Sequence, residues 1–486
     1  MERFQIALIA PDPGDGGTVT IGLDGEPPTL DPAGNSLSLA NGSVYGALFD
    51  PLMRLLPGKE PEPLLLDSLV ESDDRLSWTL TLKPGISFHD GTPLDAAAVK
   101  FNLERQKASP YNGPTLSPIT AVDVIDPLNV RLTLSVPWTA LPSVLAGVNG
   151  LMASPTAAAD AAAFARHPVG TGPYQFSEWV PGDKIVVTKN PTYWGTPGHV
   201  DEVVYKLIPV EAARVAAFKA GELDAYTSIV VKTADEAKAS GAQVVSPPSF
   251  GYGFAYINTT RPPLDDARVR RALVLAADRD AISAAYQGPT YADFAWGAIP
   301  KDSTWWAAPA TPLAYQLDEA KALIQEYGKP VTFSFKLLAG NEEFADGIRA
   351  TIEYWKEAGI DAELQLEADL STYVVQGVTG DFDMIGWLGG SIGDPDTTLY
   401  NLFHTGGSSN YGKYSNPRVD ELLDLARSSN VDADRKAAYD EIQQILREDA
   451  PVYFSGHGLV FFIAGDRVKG LDTPTTFFPV RGISVG

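Results

Sequence analysis

The chain contains no cysteine and is poor in histidine, methionine and basic residues. The absence of cysteine excludes disulfides, thiolate metal ligands and a cysteine nucleophile. The formal net charge of −24 argues against nucleic acid and anionic lipid as partners, and it suits a highly soluble protein. No apolar run reaches the roughly 18 residues that a spanning helix needs. These absences exclude several classes of site but say little about a ligand, because global charge is not the charge of a site.

The first 17 residues lack the pattern of an export signal. A signal peptide needs a basic start, a longer apolar region and a small-residue cleavage site. Here the apolar stretch from Phe4 to Ala10 is interrupted by Pro11 and Asp12, and there is no lipobox cysteine. We therefore expect an export signal either to have been removed from this chain or never to have been part of it.

Strand and helix patterns alternate along the chain, which is typical of an α/β protein of about two to four domains. The pattern predicts a first strand over Thr18–Leu23 and an amphipathic helix that opens at Asp95. It also predicts hairpins around residues 126–129 and 181–183. No repeat and no low-complexity linker separates the domains. We therefore expect interdigitated domains, with the backbone crossing between them more than once.

Short motifs in a fixed order cover nearly the whole chain. They are Pro28-Thr-Leu-Asp-Pro32, Phe49-Asp-Pro-Leu52, Trp78-Thr-Leu-Thr-Leu-Lys-Pro-Gly85, Phe88-His-Asp-Gly-Thr-Pro-Leu-Asp95, Val99-Lys-Phe-Asn102, Gly170-Thr-Gly-Pro-Tyr174, Lys189-Asn-Pro-Thr-Tyr-Trp194, Asp265-Asp-Ala-Arg-Val-Arg-Arg-Ala272 and Gly393-Asp-Pro-Asp396. With these motifs in this order, the chain resembles the family 5 extracellular solute-binding proteins, the peptide, opine and nickel group. Most of the motifs identify the fold and do not bind the ligand; Gly91, Gly170 and Gly172 are interpreted as turn glycines.

The resemblance implies a two-lobed, hinged α/β fold like that of periplasmic binding proteins (type II, cluster C), with an extra domain on the first lobe. It places domain I at 17–48, 166–248 and 463–486, domain II at 49–165 and domain III at 249–462. It further implies a monomer on the periplasmic or extracellular face of the membrane. That monomer would enclose a small solute or peptide between domains I and III and pass it to ABC transporter permease subunits. No cofactor and no metal is expected.

The segment after Trp387 is the most informative for the ligand. In peptide-binding members of the family, an aspartate a few residues after this tryptophan pairs with the ligand's α-amino group, and here Gly390 and Ser391 stand at that place. Asp394 and Asp396 match a downstream pair, and an arginine for the ligand's carboxylate has no counterpart at 337–341. We therefore expect an uncharged, oligosaccharide-like or aromatic solute, or a peptide without standard terminal pairing. An ordinary oligopeptide is the alternative.

The candidate ligand-binding residues are mostly aromatic and glycine, since aromatic faces suit sugar rings, aromatic solutes and apolar side chains. They are Trp387, Gly389, Gly390, Ser391, Glu26, Phe250, Tyr252, Trp305 and Trp306. For each aromatic residue the competing interpretation is ordinary core packing.

Two other classes of function compete with that of a binding protein. Gly389-Gly-Ser-Ile-Gly393 has the letters of a nucleophile elbow, so a serine hydrolase using Ser391 and His457 is a remote alternative. Against it, Asp394 as N-cap and Pro395 at the first helical position predict a helix that begins too late. A chaperone-like binder would need a wide apolar groove, which the acidic, turn-rich sequence does not indicate.

Overall fold

The computed structural model describes residues 16–35, 37–56, 59–246, 251–287, 297–299, 303–308, 314–340, 342–390, 393–458, 460–472 and 479–486. Within these ranges, no helix combines the length and the apolar character needed to cross a membrane. Phe250 and Ser391, two of the candidate ligand-binding residues, lie outside them.

The strands form three main sheets and two short ribbons. In chain order they are β1 Thr18–Leu23, β2 Met53–Arg54, β3 Glu62–Pro63, β4 Leu66–Glu71, β5 Ser77–Leu82, β6 Ile119–Asp126, β7 Asn129–Leu134, β8 Tyr174–Val180, β9 Lys184–Lys189, β10 Glu202–Leu207, β11 Ala225–Ser228, β12 Gln243–Val245, β13 Gly251–Ile257, β14 Val331–Leu338, β15 Ile360–Glu367, β16 Met384–Gly390, β17 Val452–Gly458, β18 Phe461–Ala464, β19 Val468–Lys469 and β20 Ser484–Val485.

Helices connect and cover these strands. They are α1 Leu39–Leu48, α2 Ala96–Ala108, α3 Leu141–Leu145, α4 Pro155–Ala158, α5 Ala161–Phe164, α6 Glu211–Lys219, α7 Val231–Ala239, α8 Ala267–Ala276, α9 Arg279–Gln287, α10 Leu317–Tyr327, α11 Glu342–Glu357, α12 Leu370–Thr379, α13 Asp396–Phe403, α14 Pro417–Ser428 and α15 Asp432–Asp449. Asp95 caps α2 as predicted, with its carboxylate accepting a hydrogen bond from Ala98 N at 2.9 Å.

The first lobe is built on a seven-stranded sheet in the order β12-β18-β11-β1-β10-β9-β8. Strand β1 runs parallel to both β10 and β11, and the other pairs are antiparallel. Strand β18 comes from near the end of the chain, yet it lies between β11 and β12. The chain therefore supplies the last strand of the first lobe only after it has passed through the whole second lobe.

The second lobe is built on a five-stranded sheet in the order β15-β14-β16-β13-β17. Strands β14, β15 and β16 are parallel, and β13 is antiparallel to both of its neighbours. Two apolar clusters pack on this sheet, one around Trp355 and the other around Tyr439. This mixed sheet matches the predicted α/β class.

The two large sheets are joined by two adjacent crossings of the chain. The chain passes from β12 to β13 and returns from β17 to β18. Gly251 lies opposite Gly458, and Ser246 Oγ donates to Val460 O at 3.0 Å, so the residues that flank the two crossings lie side by side. This is the geometry of a two-segment hinge. The domain boundaries derived from the family stay a prediction, with the change of sheet falling at these crossings.

An extra domain carries the four-stranded antiparallel sheet β4-β5-β7-β6 and is fastened to the first lobe through Asp50. The fully buried Asp50 carboxylate accepts hydrogen bonds from Thr171 Oγ1 at 3.1 Å, Tyr193 OH at 3.1 Å, Trp194 Nε1 at 3.0 Å and Arg481 Nη1 at 2.6 Å. A buried charge is stable only when it is paired in this way. These bonds hold the extra domain and the first lobe together.

His89 provides a second attachment of the extra domain. Its Nδ1 accepts from Gly170 N at 3.2 Å, which leaves Nε2 to donate to Gly172 O at 3.0 Å. Burial lowers the pKa of His89, and the hydrogen bond to Gly172 opposes that effect. The imidazole therefore serves here as a neutral connector between two backbone groups.

The motif glycines serve two different purposes. Gly91 has a φ of +79°, as predicted for a turn glycine. The same prediction is wrong for Gly170 and Gly172, which are not in the left-handed region. A Cβ on Gly170 would lie 2.1 Å from Leu48 O, and one on Gly172 2.5 Å from Leu48 C. Glycine is required at both positions because the backbone passes close to the end of α1.

Candidate functional site

The hinge-side end of the second sheet is rich in glycine on three neighbouring strands. The directly opposed residues are Gly251 with Gly390 and Gly458, and Gly253 with Leu388 and Gly456. Opposed residues point to the same face, so the one side chain among these six is that of Leu388, which is 75% exposed. Glycine in a strand lets another backbone or a ligand approach closely. This sheet end, beside the hinge, is the candidate site.

Sequence reasoning found Gly389 and Gly390 but missed the glycines of β13 and β17. Gly456 and Gly458 lie about 200 positions after β13 in the chain. They reach the site only because β17 pairs with β13. A bulge between Gly253 and Phe254 shifts the register, and Ser455 falls within it. Alternating glycines at the start of β13 and the end of β17 were the available signal.

The Trp387 side chain packs against three tyrosines of the second lobe. Its ring stacks on Tyr373, with centroids 5.9 Å apart and an interplanar angle of 11°, and it meets Tyr256 and Tyr411 edge-on. Gly377 makes room for the ring, because a Cβ there would lie 2.7 Å from Trp387 Cζ3. The indole is half-buried, so part of its surface stays available to a ligand.

Asp394 and Asp396, which follow the glycine segment (residues 389–393), are each paired with an arginine. Arg435 Nη2 donates to the two carboxylate oxygens of Asp394 at 2.7 and 2.6 Å. Arg427 donates to Asp396 from Nε at 2.9 Å and from Nη2 at 3.1 Å. Burial raises the pKa of Asp394, but the Arg435 guanidinium opposes this and its hydrogen bonds favour the carboxylate. Neither aspartate is left to receive an α-amino group.

The segment between β16 and α13 differs from a nucleophile elbow. Strand β16 ends at Gly390 and α13 begins at Asp396, so residues 391–395 separate them. An elbow needs the helix directly after the serine. The helix begins one residue later than predicted, with Pro395 as N-cap, and Asp394 Oδ1 accepts from Asp396 N at 3.0 Å. The side chains of Tyr252 and His457 lie outside the described part of the chain.

Three other candidates have partners within the protein. The Trp305 ring meets Tyr439 edge-on at 5.5 Å and lies 4.7 Å from the Arg435 guanidinium. Trp306 packs, half-buried, against the same cluster. The Glu26 carboxylate accepts from Trp179 Nε1 at 2.8 Å and from Gly182 N at 3.1 Å. These contacts hold the loops that carry the candidates, and contact with a ligand stays a prediction.

Histidine and acidic side chains do not converge into a metal centre in the part of the chain that the structure describes. The candidate site therefore offers backbone groups and the apolar Leu388 side chain, while the Trp387 ring, on the preceding residue of β16, points to the opposite face of the sheet. Such a surface can hold a solute by main-chain hydrogen bonds and apolar contact.

A model of the bacterial extracellular solute-binding proteins, family 5 Middle, matches residues 60–410. The glutathione-binding protein GsiB of Salmonella typhi is 31% identical over 447 residues, which cover 87% of this chain and 85% of that protein. The periplasmic binding protein DppA of Helicobacter pylori, in complex with the peptide STSA, superposes with a TM-score of 0.85 at 22% identity over 97% of this chain and 98% of its own. AgaA of A. tumefaciens R10, in complex with agropinic acid, gives a TM-score of 0.84 at 27% identity over 97% and 99%.

The family match spans most of the chain, and the fold agrees with two-lobed binding proteins along nearly its full length. Two of the motifs that carry the resemblance contribute contacts to this fold: His89 joins the extra domain to the first lobe, and Asp396 is paired with Arg427. This protein belongs to family 5 of the bacterial extracellular solute-binding proteins.

Proposed function

We propose that this protein is the substrate-binding subunit of a bacterial ABC importer. It works as a monomer outside the cytoplasmic membrane, captures a small solute between its lobes by closing the hinge, and delivers the solute to a permease. No bond is made or broken. Family membership supports this proposal, as do the relatives: GsiB is named for binding glutathione, and DppA is described as associated with an ABC transporter.

The ligand is uncharged or weakly charged, and it is held mainly through backbone groups. The observation that carries this proposal is that Asp394 and Asp396 are both committed to arginines, beside a sheet end lined by glycine. Oligosaccharide-like and aromatic solutes fit such a site. So does a peptide that is held through its backbone groups while its α-amino group is not paired by the protein; glutathione, which keeps a free α-amino group on its γ-glutamyl residue, would have to be held in this way. An ordinary oligopeptide is the alternative.

Thermal unfolding with defined probes tests the ligand class. The probes are dialanine, tetra-alanine, glutathione and maltose, each added in excess. A ligand at about 100 times its dissociation constant adds roughly 2.7 kcal/mol of stability, which should raise the midpoint by several degrees. We expect a shift with glutathione or maltose and none with dialanine. A shift with dialanine alone would mean that unidentified charged groups pair with the termini, and the ligand proposal would be wrong.

Covalent labelling tests the absence of serine hydrolase activity. A fluorophosphonate probe should leave the wild-type protein unlabelled, because residues 391–395 separate β16 from α13 and an elbow needs the helix to follow the serine at once. The matched control is Ser391→Ala. Labelling of the wild type that disappears in this variant would establish a reactive Ser391 and contradict the proposal of a pure binding protein.

A further inference from the structure

The extra domain, which is fastened to the first lobe, also reaches the second lobe at one place. Trp138 packs in the core of the extra domain, and its Nε1 donates to Asp396 Oδ2 at 3.0 Å. Trp138 and Asp396 are each only 1% exposed. This bond therefore joins the interior of the extra domain to the start of α13 in the second lobe.

Two neighbouring residues bind the end of α14. Thr139 N donates to Arg427 O at 3.1 Å, and Thr139 Oγ1 donates to Ser429 O at 2.8 Å. The Arg75 guanidinium donates to Ser428 O and, at 2.8 Å, to Thr139 Oγ1. The last carbonyls of a helix have no partner within the helix. The extra domain thus supplies donors for the C-terminus of a helix in the other lobe.

Among the residues that the structure describes, Arg75, Trp138 and Thr139 make the hydrogen bonds that join the second lobe to the remainder of the chain, apart from those beside the hinge crossings. The glycine segment ends at the same place. Gly393 lies against the extra domain so closely that a Cβ would be 2.7 Å from Leu55 Cδ2 and 3.2 Å from Ser143 Oγ. Separating the lobes at the hinge must therefore expose this interface to water.

We propose that Arg75, Trp138 and Thr139 form an interlobe latch, which holds the second lobe closed without ligand and sets affinity from outside the ligand site. The latch rests on the hinge motion of the proposed function but not on the identity of the ligand. Gly390, at the candidate site, and Gly393, against the extra domain, are only three positions apart in the chain, so a bound ligand and the latch favour the same closed position. Hydrogen bonds to charged groups are the stronger ones, so loss of the Trp138 bond should reduce the closed-to-open ratio about tenfold.

The cysteine-free chain allows this to be measured with spin labels at two introduced cysteines. Val124 in the extra domain is 44% exposed and Val375 in the second lobe is 59% exposed, so V124C/V375C places both labels on the surface. Pulsed electron–electron double resonance then gives the distribution of distances between the two spin labels in the ligand-free protein. The test variants are W138F and R75N/T139A. Asparagine is chosen because Arg75 has a φ of 59°, which asparagine tolerates.

W194F is the matched control. Trp194 Nε1 also donates to a buried aspartate, Asp50, at 3.0 Å, but that bond joins the extra domain to the first lobe. We expect W138F and R75N/T139A to shift the distribution to longer distances, and W194F to match the parent. Equal distributions in all variants, with or without a lower melting temperature, would overturn the latch, as would a parent with no short-distance population. Failure of every probe to bind would contradict the ligand proposal and would leave these distances unchanged.

Discussion

Replacing Asp394 with asparagine should strongly destabilise the second lobe. Arg435 is almost fully buried, and both oxygens of Asp394 accept its hydrogen bonds. The variant would leave the guanidinium charge with Ala426 O, bound at 2.8 Å, and with uncharged groups. Breaking a buried ion pair on one side costs about 3–5 kcal/mol. At about 2–4 °C per kcal/mol for a domain of this size, the melting temperature should fall by roughly 6–20 °C.

Thermal and urea unfolding would measure this loss, with Glu441→Gln as the control. The Glu441 carboxylate pairs with Arg418 at 2.7 Å on the surface, so its removal should produce no resolvable change. The reasoning is refuted if Asp394→Asn melts within a degree of the wild type and instead loses binding of a free-amine peptide. Asp394 would then be the ligand's partner, and the ion pair with Arg435 would contribute little to stability.

Two further predictions concern the attachment of the extra domain. Gly172→Ala should cost about 3 kcal/mol or more in chemical unfolding, since its Cβ would meet backbone at 2.4 Å, whereas Gly182→Ala, in open space at a φ of +72°, should cost about 1–2 kcal/mol; equal losses would contradict the close approach. His89 has a lowered pKa, so the unfolded state binds more protons and stability should fall as the pH drops below about 6.5. His89→Gln should flatten this slope in urea titrations between about pH 7.5 and 5.5; an unchanged slope would contradict a neutral His89.

Local signals account for the part of the fold that was predicted. The strand Thr18–Leu23 and the cap at Asp95 depend on alternation and on a side chain three residues from its backbone partner. The turn at Gly91 is local in the same sense. The prediction for Gly170 and Gly172 was wrong because α1, which requires them to be glycine, precedes them by more than 100 positions.

The candidate site was predicted only in part for the same reason. The residues 389–393 after Trp387 could be selected from their motif, and the absence of an amine-binding aspartate among them stays a prediction from the resemblance. The sequence could not predict that Asp394 pairs with Arg435 and Asp396 with Arg427, because these partners lie 41 and 31 positions away on other helices.

The sequence by itself determined the family, the α/β class and the chemistry excluded by the lack of cysteine, since these follow from composition and from motifs of a few residues. Only the tertiary structure decided which groups meet. Trp138 and Asp396 are 258 positions apart, and Gly251 and Gly458 come from the two ends of the second lobe. Such contacts depend on how the sheets and the extra domain pack, and residue spacing along one chain carries no record of that packing.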